Sequence, residues 1–258
     1  MGEVINKTDG KTINAILLYD KKNNDMSMKS LEKSLVKSLV IPLLVLAIVL
    51  SGCLETPVAA PPAIDSRVLE ENGWVQVGDV VRDSKSFEIG GREIRINTAR
   101  ITYADRELEE YLMDQIGVYR RPPQNLTAYI LAMRIVLPSG IPLPSQMVLE
   151  MAGSQVEEMA GAMGLRDFHQ VNMTTIEVKD GKSAEAKIYA GEIPISEKTT
   201  IPVKGVLTTW SASGSTIIAS AIYPGGDFVL ETEDEKVIIE IDGAAEYEEI
   251  VELLQQME

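Results

Sequence analysis

The chain has 258 residues, of which 45% are hydrophobic and 24% are charged, a composition typical of a folded domain and not of a disordered chain or a protein with many membrane spans. Its net charge of −15 is unevenly divided: the residues before Cys53 contain seven lysines and five acidic residues (net +2), whereas the remainder contains 17 basic and 34 acidic residues (net −17). Such an acidic chain repels nucleic acid, and a single cysteine excludes intramolecular disulfides and a zinc site built from cysteines.

Residues 26–52 have the organisation of a secretory signal peptide. Lys29, Lys33 and Lys37 form a basic stretch, and twelve apolar residues (39–50, LVIPLLVLAIVL) follow without a charge. This run is well short of the ~20 apolar residues that a membrane-spanning helix needs. Residues 1–25 precede the signal and are predicted to be a gene-model extension or disordered, with Met26 or Met28 as the true start.

The signal ends in Leu50-Ser51-Gly52-Cys53, which resembles the lipobox of prokaryotic lipoproteins. The resemblance implies cleavage before Cys53 and attachment of a diacylglycerol-type lipid to its thiol, and two acyl chains anchor stably where one is marginal. The predicted location is the outer face of the cytoplasmic membrane or the cell surface. The alternative is an uncleaved signal anchor in which Cys53 is incidental.

After Cys53, residues 53–72 are rich in proline and alanine and lack a helical or strand period, which predicts an extended tether. A single exported domain is predicted for residues 73–258. Alternating apolar residues predict three antiparallel strands at residues 74–81, 87–89 and 92–103, with a hairpin turn at Gly90-Gly91.

The later elements alternate between helices and hairpins. A helix is predicted from Thr102-x-x-Asp105 to Gly117, and another from Ser145 to Gly164. Strands are predicted at 126–137, 171–178, 184–189, 203–211, 216–223 and 236–241, and a last helix follows Asp242. The order predicts an α+β fold, a mostly antiparallel sheet with about three helices packed on its faces.

This order is similar to that of PsbP-like domains, which are α-β-α sandwiches of small exported accessory proteins. The resemblance covers most of residues 73–258 as an order of elements. The lipobox, tether and single domain together also resemble archaeal lipoproteins of this organisation. No functional residue is carried over from either resemblance.

The sequence contains no recognisable catalytic or metal-binding motif. His169 is the only histidine, and no G-x-S-x-G elbow accompanies it. The acidic run 231–235 lacks the alternating pattern and central glycine of a calcium loop and is typical of a solvated loop. No phosphate loop or dinucleotide fingerprint occurs, so neither a cofactor nor a metal is expected.

Two features remain as candidate sites. Four methionines at helical spacing could line an adaptable binding groove or belong to the core: Met147, Met151, Met159 and Met163. Asn125-Leu126-Thr127 and Asn172-Met173-Thr174 are N-glycosylation sequons.

The leading functional hypothesis is a non-catalytic, lipid-anchored module that binds a protein or ligand, or assists an envelope complex. The alternatives are an exported hydrolase with an unrecognised site and a solute-binding accessory of a transporter. A deep pocket with His169, a serine and an aspartate would favour the hydrolase, whereas an exposed apolar patch would favour the binding module.

Overall fold

The computed structural model describes residues 56–89, 92–117, 126–138, 144–162, 164–196, 198–231 and 236–258. In these residues the helices are α1 (Ser66–Glu71), α2 (Arg106–Gly117), α3 (Ser145–Ala162) and α4 (Gly243–Gln256). The strands are β1 (Trp74–Gln76), β2 (Val81–Ile89), β3 (Arg92–Asp105), β4 (Tyr129–Val136), β5 (Arg166–Val178), β6 (Lys182–Pro194), β7 (Thr200–Ala212), β8 (Ser215–Pro224), β9 (Phe228–Glu231) and β10 (Lys236–Ile239).

Eight strands form one antiparallel sheet in the order β1-β3-β4-β8-β7-β6-β5, with β2 paired to β3 off this path. Strands β9 and β10 form a separate two-stranded sheet. Two of the predicted hairpin turns are present. Ser213 and Gly214 both have positive φ angles between β7 and β8, and so do Asp180 and Gly181 between β5 and β6. Such turns match the right-handed twist of the strands they join.

Apolar side chains fill both faces of the large sheet. On one face, β3, β4 and β8 pack with α1, α2 and α4 around the buried Trp74, Tyr103 and Tyr223. On the opposite face, α3 buries Val148 and Leu149. Helix α4 begins where the Asp242 carboxylate accepts hydrogen bonds from the backbone N–H groups of Ala244 and Ala245.

The predicted fold class, an α+β sandwich of the PsbP-like type with about three helices on its faces, is wrong. The fold is mostly antiparallel β, with one eight-stranded sheet and four helices in the described residues. Strands β5, β6 and β7 have 13 residues each and run well past the strands predicted at 171–178, 184–189 and 203–211. Polar strand ends, such as the start of β5, give no periodic signal, so the sequence understates how far the sheet extends.

The proline-rich segment that follows residue 55 packs against the domain. Thr56 Oγ1 donates to the Arg95 carbonyl oxygen (2.7 Å), and Ala59 is buried against Ala99. Further along, Ala63 and Glu258 exchange backbone hydrogen bonds at 3.1 and 2.9 Å. We call residues 56–65 the docked segment. Its contacts attach it to the sheet and to the last residue of the chain.

Candidate functional site

The structure describes four of the seven residues predicted from the sequence to form sites. Cys53, Asn125 and Met163 lie outside the described residues. Met147 is exposed near the start of α3, whereas Met151 is partly buried and packs against the core beneath that helix. Met159 lies in α3 about 18 Å along the axis from Met147, at a rise of about 1.5 Å per residue. Of the two methionines whose side chains are described, one therefore belongs to the core and one to the surface.

His169 lies exposed on β5, and its Nδ1 is 2.6 Å from the backbone oxygen of Asp167. This contact is local and involves no serine. Within the part of the chain that the structure describes, no group of three or more His, Cys, Asp or Glu residues is arranged to hold a metal ion.

Glu231, the first residue of the predicted acidic loop, pairs with Lys236, and this hydrogen bond lowers the pKa of the Glu231 carboxyl. Residues 232–235 lie outside the described residues.

In the part of the chain that the structure describes, strand β5 lies at one end of the large sheet and pairs only with β6. The register of this pair shifts twice, once between Arg166 and His169 and once between Gln170 and Asn172, where Val171 has no partner residue. Such shifts are β-bulges, which bend and twist an edge strand. From Asn172 to Val178 the pairing with β6 is uninterrupted, so the outer backbone edge of this stretch is geometrically regular.

The central residues of β5 contain no charged side chain. Residues 168–176 (FHQVNMTTI) contain no Asp, Glu, Lys or Arg, although 24% of the whole chain is charged. Val171 and Met173 are 52% and 41% exposed, and the sequon residue Asn172 is exposed between them. We call Phe168–Ile176 the uncharged edge. Two of its backbone N–H groups are bonded to side chains, since Gln170 donates to Glu157 Oε1 (3.3 Å) and Met173 donates to Asn172 Oδ1 (2.8 Å). The end position of β5 among the described strands, together with its exposed apolar side chains, is what an added strand recognises.

A family model described as a domain of unknown function, DUF6517, matches residues 61–258. The chain belongs to the DUF6517 family. No curated protein matches the chain. The matched region begins within the docked segment and contains all four helices and the uncharged edge.

A buried lysine joins α3 to the sheet of the DUF6517 domain. Lys187 of β6 is almost fully buried, and its Nζ lies 2.9 Å from the Glu150 carboxylate of α3. Beside it, Tyr189 stacks on Phe168 at a ring-centroid distance of 5.3 Å. Burial, followed by the charges of Glu157 and Glu150, raises the pKa of Tyr189 to about 12, so its hydroxyl keeps its proton. The lysine–carboxylate pair and the protonated phenol together account for the polar groups at this contact.

The helix approaches this pair closely at Gly153. A Cβ at that position would lie 2.9 Å from the Tyr189 hydroxyl and 3.0 Å from Lys187 Nζ. The Tyr189 hydroxyl has no hydrogen-bond partner in the described residues. Glycine at this position therefore permits the approach of the helix, and the arrangement is best explained as packing between α3 and the sheet.

A cluster of carboxylates lies on the other face of the domain, between β3 and α4. Trp74 Nε1 donates to Glu249 Oε1 at 2.5 Å. Asp105 is only 4% exposed, and its Oδ1 accepts a hydrogen bond from the Leu108 backbone N–H at 2.9 Å, which caps α2. Glu246 Oε2 is buried without a hydrogen-bond partner among the described residues. We call Asp105, Glu246 and Glu249 the carboxylate cluster.

The cluster changes the protonation of its members. Burial raises the pKa of Glu246 to about 7, and the charges of Asp105, Glu249 and Asp242 contribute to the same shift. Burial also raises the pKa of Asp105 and Glu249, the latter against the opposing effect of the Trp74 hydrogen bond. Glu246 therefore holds its proton to near-neutral pH, and the cluster makes stability depend on pH.

Proposed function

We propose that this DUF6517 protein is a lipid-anchored, extracytoplasmic module that binds a partner protein of the cell envelope without catalysing a reaction. The observation that supports binding is the uncharged edge of β5. Natural proteins protect exposed sheet edges with charged side chains, prolines, bulges or a covering element, because an open edge pairs with other chains. Here bulges occupy the first half of the strand, whereas the regular stretch from Asn172 to Ile176 has no charge.

A partner that adds an extended segment beside this stretch would hydrogen-bond to the backbone of β5, replacing the Asn172 side chain at the Met173 N–H, and would cover Val171 and Met173. This mode of recognition takes its affinity from main-chain hydrogen bonds and its specificity from side chains that alternate along the strand. The occupant that fits is an uncharged, extended peptide segment of another envelope protein. An acidic segment would be repelled by the negative charge of the rest of the domain.

The anchor is supported by the apolar run, the small residues before Cys53 and the absence of any other cysteine. None of the helices in the described residues has the length and apolar character needed to cross a bilayer. The signal region lies outside those residues.

We expect the intact mass of the native protein, purified gently from membranes, to equal a chain that starts at Cys53 plus a diacylglycerol-type lipid. A chain that retained residues before Cys53 and carried no lipid would contradict the anchor.

Mass spectrometry of the same sample also shows whether Asn172 carries a glycan. A glycan there would cover the uncharged edge, so a glycan mass mapped to this residue would contradict strand addition.

Placing charge on the edge should abolish partner binding. We expect Val171→Lys with Met173→Lys to reduce the amount of partner that co-purifies from solubilised membranes by at least about tenfold, since lysine on an edge strand opposes pairing. Val77→Lys is the matched control, because Val77 is 45% exposed and lies beyond β1, at the other end of the strand order. Substitutions at such exposed positions change stability by only about 0.5 kcal/mol.

The readout is the quantity of each co-purifying protein relative to the wild type, measured by mass spectrometry with the fold checked by circular dichroism. A partner that is lost from the edge variant and retained by Val77→Lys is the expected result. Equal recovery from both variants would show that β5 is not the binding surface.

A further inference from the structure

The direction in which the docked segment runs determines which end of the domain lies nearest the lipid anchor. Thr56 contacts Arg95, and the Asn97 side-chain amide donates to the carbonyl oxygens of Thr56 (3.1 Å) and Pro57 (2.7 Å). Further along, the Ile64 backbone N–H donates to the Tyr103 hydroxyl at 3.1 Å. The segment therefore runs in the same direction as β3, and its upstream end points towards the first residues of β3.

Covalent geometry then limits where the lipid can be. Cys53 lies three residues before Thr56. Consecutive Cα atoms are about 3.8 Å apart, so the Cys53 Cα lies within about 11 Å of the Thr56 Cα. A lipid on Cys53 would thus enter the bilayer close to the first residues of β3, and the docked segment leaves no long flexible spacer between membrane and domain.

The same end of the domain carries a protruding hairpin. Residues 92–96 of β3 pair only with residues 85–89 of β2 in the described structure, since the pairing of β3 with β4 begins at Asn97. We call residues 85–89 and 92–96 the arm. Residues 81–100, which include it, contain five basic and three acidic residues, a net charge of +2. The rest of the chain after Cys53 contains 12 basic and 31 acidic residues, a net charge of −19.

These observations converge on one surface. We propose that the arm and the upstream end of the docked segment form a membrane-apposed surface that rests on anionic lipid headgroups beside the anchored Cys53. The proposal rests on the proposed lipid anchor. Anionic headgroups attract the basic hairpin and repel the acidic remainder, so the charge distribution orients the domain with the arm towards the bilayer. Val58, which is 81% exposed in the docked segment, would then face the headgroup region.

The test places a fluorophore on the lipid-modified protein. Because the only native thiol carries the lipid, Ser86→Cys provides a unique label on the arm and Ser196→Cys a matched one. Ser196 is exposed and follows Pro194, at the end of the sheet where Ala104 pairs with Tyr129, opposite the arm. Each protein is placed on phosphatidylcholine vesicles with or without phosphatidylglycerol, and a headgroup-attached nitroxide lipid serves as quencher.

On vesicles with phosphatidylglycerol, we expect at least about threefold stronger quenching at position 86 than at 196. The headgroup field, which extends about 10 Å at an ionic strength of about 0.1 M, should hold the arm against the bilayer and leave position 196 at the far end of the sheet. Lys85→Gln with Arg95→Gln should bring quenching at 86 down towards the control value while the protein still floats with the vesicles. Omitting phosphatidylglycerol should do the same.

The outcomes separate the two proposals. A protein that does not float with vesicles of either composition would overturn the anchor itself. A protein that floats, but whose label at 86 is quenched no more than the label at 196, would overturn the membrane-apposed arm and leave the anchor intact. Equal quenching at 86 with and without phosphatidylglycerol would overturn the recognition of anionic headgroups.

Discussion

Replacing Glu246 by glutamine should stabilise the protein at pH 8 by about 2 kcal/mol and change its stability at pH 5 by less than about 1 kcal/mol. Glu246 Oε2 is buried with no donor among the described residues, and Asp105 and Glu249 surround it with further negative charge. Glutamine keeps the shape of the protonated side chain and removes the charge. The benefit therefore appears only where the wild-type carboxyl would be ionised.

The direction of the pH dependence follows from the two pKa values of Glu246. The unfolded value is 4.5 and the folded value is about 7, so the folded state holds a proton that the unfolded state has released between these pH values. The contribution of Glu246 to stability is fully present below pH 4.5 and is lost as the pH rises through about 7. The full shift corresponds to about 3 kcal/mol, which partial exposure to solvent reduces to about 2 kcal/mol.

Urea unfolding of both proteins at pH 5 and pH 8 measures this difference. Glu248→Gln is the matched control, because Glu248 is an exposed residue on the same helix, and we expect it to change stability by less than about 0.5 kcal/mol at either pH. A Glu246→Gln effect of equal size at pH 5 and pH 8 would show that this carboxyl is not the group that titrates.

Other carboxyl groups act in the opposite direction at more acidic pH. Hydrogen bonds from Lys179, Lys236 and Arg67 lower the pKa values of Glu258, Glu231 and Asp65 respectively. Their contributions are present above the unfolded pKa values and are lost as the pH falls through the folded ones. Stability should therefore be greatest in mildly acidic solution, between the range where these groups protonate and the range where Glu246 ionises.

The local features of the fold are those that the sequence predicts best. Hairpin turns at Asp180-Gly181 and Ser213-Gly214 follow from residues that tolerate positive φ between alternating strands. Helix α2 starts later than the capping pattern predicts, at Arg106, because β3 continues to Asp105 and pairs there with Trp74. A cross-strand contact thus overrides a local helix signal.

The elements that the sequence misses lack a periodic pattern. Helix α1 has six residues, too few to establish a helical repeat, and β9 has four. The docked segment is rich in proline and alanine, which usually indicates a free linker. Its attachment depends on Asn97, Tyr103 and Glu258, partners between 39 and 195 positions away that no local pattern can reveal.

The candidate sites are harder to predict for the same reason. Trp74 and Glu249 are 175 residues apart in the chain, so the carboxylate cluster exists only after the sheet has assembled. The uncharged edge is partly visible beforehand, since residues 168–176 form a conspicuous uncharged run in an acidic chain. What the sequence does not contain is the strand order, and only that order makes β5 an edge rather than an interior strand.

Gly243→Ala should destabilise the protein by about 3 kcal/mol or more, the largest effect of a single methyl group that we expect in this domain. Gly243 is the first residue of α4, and a Cβ there would overlap the Gly225 carbonyl group, with the Gly226 nitrogen at 3.0 Å. Both neighbours are backbone atoms, which cannot rotate away as the end of a side chain can.

The surroundings of Gly243 leave little room for adjustment. The Gly225 N–H donates to the Pro202 carbonyl oxygen at 2.7 Å, and the Ile241 N–H donates to Asp227 Oδ1 at 2.8 Å. Moving either segment breaks one of these hydrogen bonds or withdraws α4, with its buried Ile250 and Leu254, from the core. Relief of the steric overlap therefore costs packing between α4 and the sheet.

Gly117→Ala, at the end of α2, is the matched control for this effect, because a Cβ there would meet no atom of the described residues within 4 Å. Alanine favours helix, so this variant should be neutral or more stable by up to about 1 kcal/mol. Thermal unfolding followed by circular dichroism should place Gly243→Ala about 6–12 °C below the wild type and Gly117→Ala at or above it. Similar melting temperatures for the two variants would contradict the close approach of α4 to the turn between β8 and β9, and with it the burial that raises the pKa of Glu246.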